Sequence, residues 1–486
     1  MADIPLRRVL IRSPCACEHQ PEENEEPVMP QKGKKTVKAR RKLTSLPESL
    51  QFINLDAAGI DVGSEHHFVA VPEGRDENGS VRMFGTFTED LEALADWMEK
   101  CGVTTVAMES TGVYWIPLYE VLERRGFEVN LVDARHVKNV TGRKSDILDC
   151  QWVQQLHTFG LLKGAFRPTD EISVLRSYVR QKEMLTQAAS MHIQHMQKAL
   201  QQMNVLLHNV VSDITGLTGM TIIKAIVAGE RDPKKLASNR HENCRNTEET
   251  IAKSLKGNYR EEHVFALKQA VELYEFYQRK ITECEKAIVS VLGRQIDVTD
   301  EELPPDGKNV PTHQRMRAGM DVREKLFKMC GVDLFNAPGL NTETLLVLGS
   351  EVGFDMSPWK TEKHFTSWLG LCPGTKITGG KRISSKTKRT KNRAAQAFRM
   401  AAQSLARNKS ALGAFYRRIK ARKGGIQAVT ATAHKLARIF YAMLKNRKQY
   451  VELGQQAYEE KYKMRRIASL SKQAKSLGFN LTPCEV

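Results

Sequence analysis

The stretch 57–72, AAGIDVGSEHHFVAVP, decides the fold of the first third of the chain. It predicts a β-strand, a turn at Gly63 and a second strand, because apolar and β-branched residues flank a turn-forming glycine. The segment 81–87, VRMFGTF, is typical of a third strand. Two adjacent histidines in the second strand, His66 and His67, would point to opposite faces, so a shared zinc site is not expected.

Beyond this meander the apolar pattern alternates between helical and extended periods. Helices are predicted at 90–102, 113–126 and 145–160, and strands at 103–109 and 127–133. The first two helical segments each end at a glycine, the usual helix stop. Three strands followed by helix, strand, helix, strand and helix indicate an α/β domain over residues 51–165.

The regions around this domain differ in composition. Residues 1–50 resemble a disordered tail, in which a glutamate cluster precedes a basic run. The basic run could contact nucleic acid, act as a targeting signal, or be only a solvated tail. Residues 166–300 carry heptad-like apolar positions, which favour long paired helices or a coiled coil. Residues 301–327 are typical of a linker, and 451–486 of a basic tail.

Residues 328–450 form a further compact unit that the apolar pattern predicts to be mainly α-helical. Between two of its helical segments lies the turn 336–342, which resembles a helix-hairpin-helix. A tight turn at Gly339 that exposes backbone N–H groups at a helix N-terminus would contact phosphate. A plain helix–helix turn is the alternative.

Overall composition restricts the partners of the protein. Its 486 residues carry a formal net charge of +18, which favours a polyanionic partner, nucleic acid above all. No apolar run approaches the ~20 residues that span a bilayer, and the N-terminus lacks the apolar core of a signal peptide. Nine scattered cysteines without a CxxC pair indicate reduced thiols. We therefore expect a soluble, cytoplasmic protein with no membrane partner.

Four acidic residues of the α/β domain are candidates for one metal site. Asp61 lies inside an apolar strand and Glu109 ends another, and burying a carboxylate is costly unless it has a partner. Asp146 and Asp149 are three residues apart at the start of a helix and share a face. Convergent carboxylates suit Mg²⁺ or Mn²⁺, and two such ions could activate a nucleophile and stabilise the leaving oxygen of a phosphodiester.

Structural roles remain open for each acid taken alone. Any one of them could cap a helix or form a turn. Asp146 and Asp149 are also favoured near a helix N-terminus by the helix dipole alone.

A basic stretch without an acidic residue follows Gly374. A run of cations is usually a solvated face, but this one interrupts a folded unit and contains a Gly-Gly turn and several hydroxyls, so DNA or RNA contact is the favoured interpretation. Its predicted nucleic-acid contacts are Lys376, Lys381, Arg382, Lys386, Lys388, Arg389, Lys391 and Arg393.

The sequence resembles the DEDD transposases of bacterial insertion sequences, the insertion-sequence 110/116/902 type, whose N-terminal domains resemble RuvC-type resolvases. The carrying motifs are GIDVGSEHHFVAV at 59–71, AMESTGVYW at 107–115 and NLVDARHVKNVTGRKSDILDCQWVQQL at 130–156. The last is the most specific, because Arg143 and Lys144 precede the Asp-x-x-Asp pair as in the family. The resemblance covers roughly 56–165 and 328–445.

This resemblance implies a fold and a chemistry. The N-terminal domain would be RNase H-like, or RuvC-like, with Asp61, Glu109, Asp146 and Asp149 as its catalytic metal ligands. Arg143 and Lys144 would contact nucleic acid. In the C-terminal domain a serine beside a Gly-Lys turn would attack DNA and form a covalent link. Here the matching residue is Thr378, and Ser384 and Ser385 follow just downstream.

The resemblance also implies partners: DNA, a structured guide RNA, and further copies of the chain in a dimer or tetramer held by the coiled coil. The protein would then be a bacterial, nucleoid-associated transposase or recombinase. Two alternatives stay open. One is a Holliday-junction-like resolvase or nuclease that uses water, and the other is a non-catalytic DNA- or RNA-binding relative.

Overall fold

The structure is a computed structural model, and it describes residues 54–110, 112–132, 146–162, 164–303, 316 and 322–482. For 146–148 the description covers the backbone only. The chain divides into two compact units, with the boundary between Phe166 and Arg167.

The N-terminal unit is built on a five-stranded mixed sheet in the order β3-β2-β1-β4-β5. Its strands are β1 (Ala57–Val62), β2 (His67–Ala70), β3 (Val81–Phe84), β4 (Thr105–Glu109) and β5 (Glu128–Val132). The first three strands form an antiparallel meander, and β4 and β5 run parallel to β1. The strand β1 is therefore central, which explains why five of its six residues are buried.

Helices cover both faces of this sheet: α1 (Thr88–Lys100), α2 (Trp115–Arg124) and α3 (Asp146–Thr158). Ile60 and Met108 pack with apolar residues of α1 and α2 in the main core. Ala107 and Val153 belong to a smaller core on the α3 side. Alternate residues of a strand point to opposite faces, so each strand supplies both cores.

The sequence prediction of an α/β domain followed by mostly helical regions is confirmed. All the predicted strands and helices of the first unit are present, with boundaries shifted by a few residues. His67 is buried and His66 exposed, as expected for adjacent strand residues.

The second unit begins with two long helices, α4 (Asp170–Gln202) and α8 (Glu261–Arg294). They pair with each other in an antiparallel arrangement, because Lys182 contacts Glu285 whereas Leu200 packs in one core with Leu267. Their heptad-like apolar positions are thus used within one chain.

Short helices join the two long ones: α5 (Leu217–Val227), α6 (Pro233–Ala237) and α7 (Glu248–Ser254). They enclose a separate apolar core with Met203, Ile222 and Ile251 fully buried. The polar stretch between the long helices is therefore a folded cap.

The remaining helices are α9 (Val322–Cys330), α10 (Thr342–Val352), α11 (Glu362–Trp368), α12 (Arg393–Ser404), α13 (Ala411–Lys423), α14 (Gly425–Asn446) and α15 (Gly454–Ser476). Phe365, Phe398 and Phe440 are fully buried and form the aromatic centre of this region. The segment 451–486, interpreted from sequence as a basic tail, contains the 23-residue helix α15. In the part of the chain that the structure describes, no helix is long and apolar enough to cross a membrane.

Candidate functional site

A glycine in the central strand brings α3 against the sheet. A Cβ built on Gly59 would lie 2.1 Å from the backbone N of Gln154 and 2.4 Å from the backbone O of Cys150. Any side chain larger than hydrogen would therefore push α3 away. Asp61 is two residues further along β1, so it lies on the same face as Gly59 and faces α3.

Asp61 and Glu109 lie side by side at the carboxyl ends of two parallel strands. The register pairs Ile60 with Met108, so the next position along both strands sets Asp61 beside Glu109, with strands ~4.8 Å apart. Asp61 is partly exposed, whereas Glu109 is buried with 8% of its surface exposed. The structure therefore brings these two predicted acids together.

Asp149 joins this face from α3. It is partly exposed and directly precedes Cys150, whose backbone touches β1 at Gly59. Burial raises the pKa of the Cys150 thiol to about 12, and the negative charges of Asp61 and Asp149 add to that rise. Both carboxylates are thus close enough to act on one buried thiol.

Other predicted ligands and contacts lie outside the described side chains. Asp146 is the first residue of α3, but its side chain is not among those described, and Arg143 and Lys144 also lie outside the described residues. Among the groups that are described, no three His, Cys, Asp or Glu side chains are placed so that they could hold a metal ion. The four-acid metal site stays a prediction.

Sequence reasoning overlooked an exposed aromatic side chain that follows Glu109 closely in the sequence. Tyr114 lies between β4 and α2, five residues after Glu109, and 49% of its surface is exposed. The neighbouring Val113 is 66% exposed. Exposed aromatic rings can stack on nucleic-acid bases, and the motif AMESTGVYW contains the only signal for this position.

The basic stretch of the second unit forms a two-stranded antiparallel hairpin, β6 (Lys376–Thr378) and β7 (Lys381–Ser384). Gly379 and Gly380 have φ angles of 54° and 75°. Positive φ at both central residues defines a tight turn that matches the twist of the strands and requires glycine-like residues. The hairpin is exposed on both faces.

The three candidate hydroxyls occupy different environments on this hairpin. Thr378 is exposed and pairs across the ladder with Lys381, while Ser384 pairs with Lys376. The Ser384 oxygen accepts a hydrogen bond of 3.3 Å from the backbone N–H of Lys386. Within the described residues, Thr378 and Ser385 make no protein hydrogen bond through their side chains. Among the three, Thr378 is therefore the residue that has a lysine directly opposite on the other strand and whose hydroxyl is not engaged in a hydrogen bond within the described residues.

The predicted phosphate contacts are mostly exposed. Seven of them have exposed side chains with no ion-pair partner among the described residues: Lys376, Lys381, Arg382, Lys386, Lys388, Arg389 and Lys391. Arg393 differs, because it begins α12 and forms an ion pair with Glu183 of α4. Its charge is partly neutralised by the protein.

The base of the hairpin is fixed by short-range contacts. The backbone N–H of Gly374 donates to the carbonyl of Lys386. Cys372 lies 3.1 Å from the Thr366 hydroxyl and 3.6 Å from Nε2 of His434 on α14. Burial lowers the pKa of His434, and the charge of Arg438 lowers it further. The His434 imidazole thus packs against Cys372, at the base of the hairpin.

Gly339 is less accessible than a phosphate-binding turn requires. It has a φ of 90°, and an added Cβ would lie 3.0 Å from the carbonyl of Ala401. Asn341 caps α10 by accepting from the backbone N–H of Thr344, and Glu343 adds a negative charge to the first turn. The helix N-terminus already has these partners, so phosphate contact at Gly339 stays a prediction with little structural support.

Comparison with protein families agrees with this architecture. A transposase family model of the IS110 DEDD type matches residues 58–205, and a model of the IS116/IS110/IS902 transposase family matches residues 333–417. No curated protein matches the chain. The first model spans the sheet with its acids and the second spans the basic hairpin. Both matches are to transposases, enzymes that cut and join DNA. The chain belongs to the IS110 family of transposases.

Proposed function

We propose that this transposase is a metal-dependent recombinase that cleaves and transfers DNA strands through a protein hydroxyl. The observation that carries the proposal is the alignment of Asp61 and Glu109 on adjacent parallel strands, facing the helix that bears Asp149. An RNase H-like assignment of the N-terminal unit belongs to the same proposal.

The type of donor on this face is the one that Mg²⁺ or Mn²⁺ prefers, but the three described acids are not placed to hold an ion by themselves, so the proposal requires Asp146 as well. Asp61, Glu109 and Asp149 offer carboxylate oxygens, the ligands that hard divalent cations prefer. The proposed ligands are Asp61, Glu109, Asp146 and Asp149, and the metal would supply charge stabilisation at the phosphate.

The proposed nucleophile is the Thr378 hydroxyl, with Ser384 and Ser385 as alternatives. Its oxygen would form a bond to phosphorus and lose its proton to solvent, while the bond from phosphorus to one bridging oxygen of the DNA breaks and that oxygen takes up a proton to become a DNA hydroxyl. Lys381, directly opposite Thr378, would attract the phosphate and favour the ionised oxygen. Joining would reverse the step, with a DNA hydroxyl displacing the threonine oxygen.

Resemblance to the family supports two further partners. A structured guide RNA would select the DNA, and several copies of the chain would assemble. Because α4 and α8 pair with each other, an assembly through this region would use their outer faces. Phe265 and Met191 are more than half exposed there, and such apolar side chains suit a protein interface.

A nuclease that uses water is the second candidate. The observation in its favour is Thr378, where the family resemblance implies a serine, since a threonine hydroxyl is more hindered. In this case the hairpin would bind DNA without reacting.

The decisive experiment is a cleavage and adduct assay with Mg²⁺, with any copurifying RNA kept in place. We expect the wild type to form a protein–DNA adduct that survives denaturation. Asp61→Asn and Thr378→Val should both lose it. Asp300→Asn and Thr375→Val, at exposed positions to which no catalytic or binding role is assigned, are the matched controls and should keep it.

If the wild type cleaved DNA in a metal-dependent way but formed no adduct, the nuclease that uses water would be the correct function and the recombinase proposal would be wrong. Full activity of Asp61→Asn would contradict the carboxylate site itself.

A further inference from the structure

The C-terminal helix α15 contacts its neighbouring helices through its first turns. The guanidinium of Arg418 on α13 lies 4.0 Å from the ring centre of Tyr462 and 5.3 Å from that of Tyr458. The ammonium of Lys435 on α14 lies 5.4 Å from the Tyr458 ring. Cation–π contacts of this kind are attractive, so they orient the start of α15.

Cations accumulate at this attachment. Burial lowers the pKa of Lys435, and the positive charge of Arg418 lowers it further, as do those of Arg438 and Arg465; Glu452 alone acts in the opposite sense. Like charges that repel one another in the free protein are stabilised when an anion binds.

Beyond the attachment, α15 has no buried residue. No acidic residue occurs from 461 to 482. Five cations occupy the helix after Tyr462, and none has an ion-pair partner among the residues that the structure describes: Lys463, Arg465, Arg466, Lys472 and Lys475. This half of α15 is therefore a projecting, uniformly positive helix.

The geometry favours duplex DNA over RNA. A helix with its side chains is ~10–12 Å across, close to the ~12 Å width of the major groove of DNA. The major groove of duplex RNA is too narrow for side chains to read. Residues 463–476 extend for roughly 20 Å, so they would face several phosphates.

Self-association is the main rival, because Met464, Ile467 and Leu470 are exposed on the same helix. In a two-fold symmetric contact, however, the same patch meets itself. Such a contact through the apolar side chains would leave Arg465 and Lys472, which lie on the opposite side of the helix from Ile467 and Leu470, without a counter-charge, and the mass in solution separates it from DNA binding.

We propose that the projecting half of α15, residues 463–476, is a second DNA-binding surface that contacts the backbone of duplex DNA. It lies outside the residues matched by either family model, 58–205 and 333–417. The inference does not depend on the metal site or on the identity of the nucleophile.

The test uses the full-length protein and a short fluorescent DNA duplex of arbitrary sequence, measured by anisotropy over a series of salt concentrations. The variant replaces three exposed cations far from the attachment, Arg466→Gln, Lys472→Gln and Lys475→Gln. Its control removes the same charge elsewhere, with Lys198→Gln, Lys253→Gln and Lys256→Gln, all exposed. A single-stranded RNA of equal length and the mass in solution are measured in parallel.

We expect the α15 variant to bind the duplex about 10-fold more weakly near physiological salt, and its log–log salt slope to fall by about 2–3, since each phosphate contact contributes ~0.9. The control should change neither quantity. Unchanged duplex affinity and slope would overturn the proposal. A loss confined to RNA, or a smaller assembly whose duplex affinity is intact, would also overturn it.

Discussion

At the scale of the residue, the Thr378 hydroxyl stands where the family resemblance implies a serine. Its side chain is exposed beside the Gly379-Gly380 turn and opposite Lys381. A threonine has the same nucleophilic atom as serine with an added methyl group.

Substitutions that remove either the methyl group or the hydroxyl of Thr378 give the first prediction. Thr378→Ser should form the protein–DNA adduct at least as fast as the wild type, because it keeps the hydroxyl and removes steric hindrance. Thr378→Val, which keeps the shape and loses the hydroxyl, should reduce adduct formation by about 100-fold or more. The rates of adduct formation, measured in quenched time courses, test this prediction. Normal adduct formation by Thr378→Val would transfer the role to Ser384 or Ser385.

A buried histidine gives the second prediction. His157 on α3 has 4% of its surface exposed, and its Nε2 lies 2.9 Å from the Thr105 hydroxyl. Burial lowers its pKa from 6.5 to about 4. Between these values the unfolded chain binds the proton and the folded chain does not, so stability is present above pH 6.5 and is lost as pH falls toward 4.

The expected loss from this group is ~3 kcal/mol of unfolding free energy at pH 4. Urea unfolding of the wild type and of His157→Gln is measured at several pH values. The comparison separates the contribution of His157 from that of other titrating groups. The variant should have the lower free energy of unfolding at pH 7, and its difference from the wild type should become smaller as the pH falls. If the free energies of unfolding of the two proteins changed with pH in parallel, the assignment of this loss to His157 would be wrong.

At the scale of the element, the contact between β1 and α3 depends on Gly59. Gly59→Ala forces a Cβ into the backbone of Gln154, so we expect destabilisation of about 1–3 kcal/mol or more, with weaker cleavage because Asp149 moves away from Asp61. Gly425→Ala is the matched control, since its Cβ meets open space. Equal stability and activity of both variants would show that α3 does not hold the acids in place.

The local pattern predicted the elements of the N-terminal sheet well. A period of two places Gly59 and Asp61 on one face, whatever the rest of the chain does. The proximity of Asp149 could not be predicted in this way, because the contact of α3 with β1 joins segments about 90 residues apart.

At the scale of the whole molecule, DNA affinity should come from several separate basic surfaces. Lys386→Gln, Lys388→Gln and Arg389→Gln together remove three exposed charges from the base of the hairpin. We expect weaker duplex binding and a log–log salt slope lower by about 2–3. Combined with the α15 variant, the losses in binding free energy should add, because distant sites act independently.

Anisotropy titrations of the two triple variants and their combination measure this additivity. A hairpin variant with the wild-type slope would exclude the hairpin as a phosphate contact. A combined variant no weaker than either triple would mean that the two surfaces do not bind DNA together.

The sequence by itself determined the order and type of the N-terminal elements, the positions of Asp61 and Glu109 at strand ends, and the basic stretch with its Gly-Gly turn. These follow from backbone periods and turn chemistry, which act between near neighbours. Only the tertiary structure decided that α4 and α8 pair with each other, that Gly339 packs against α12, and that the last segment is an anchored helix. Apolar stripes and charge runs predict that a surface needs a partner. Packing across the whole unit determines which distant segment provides that partner.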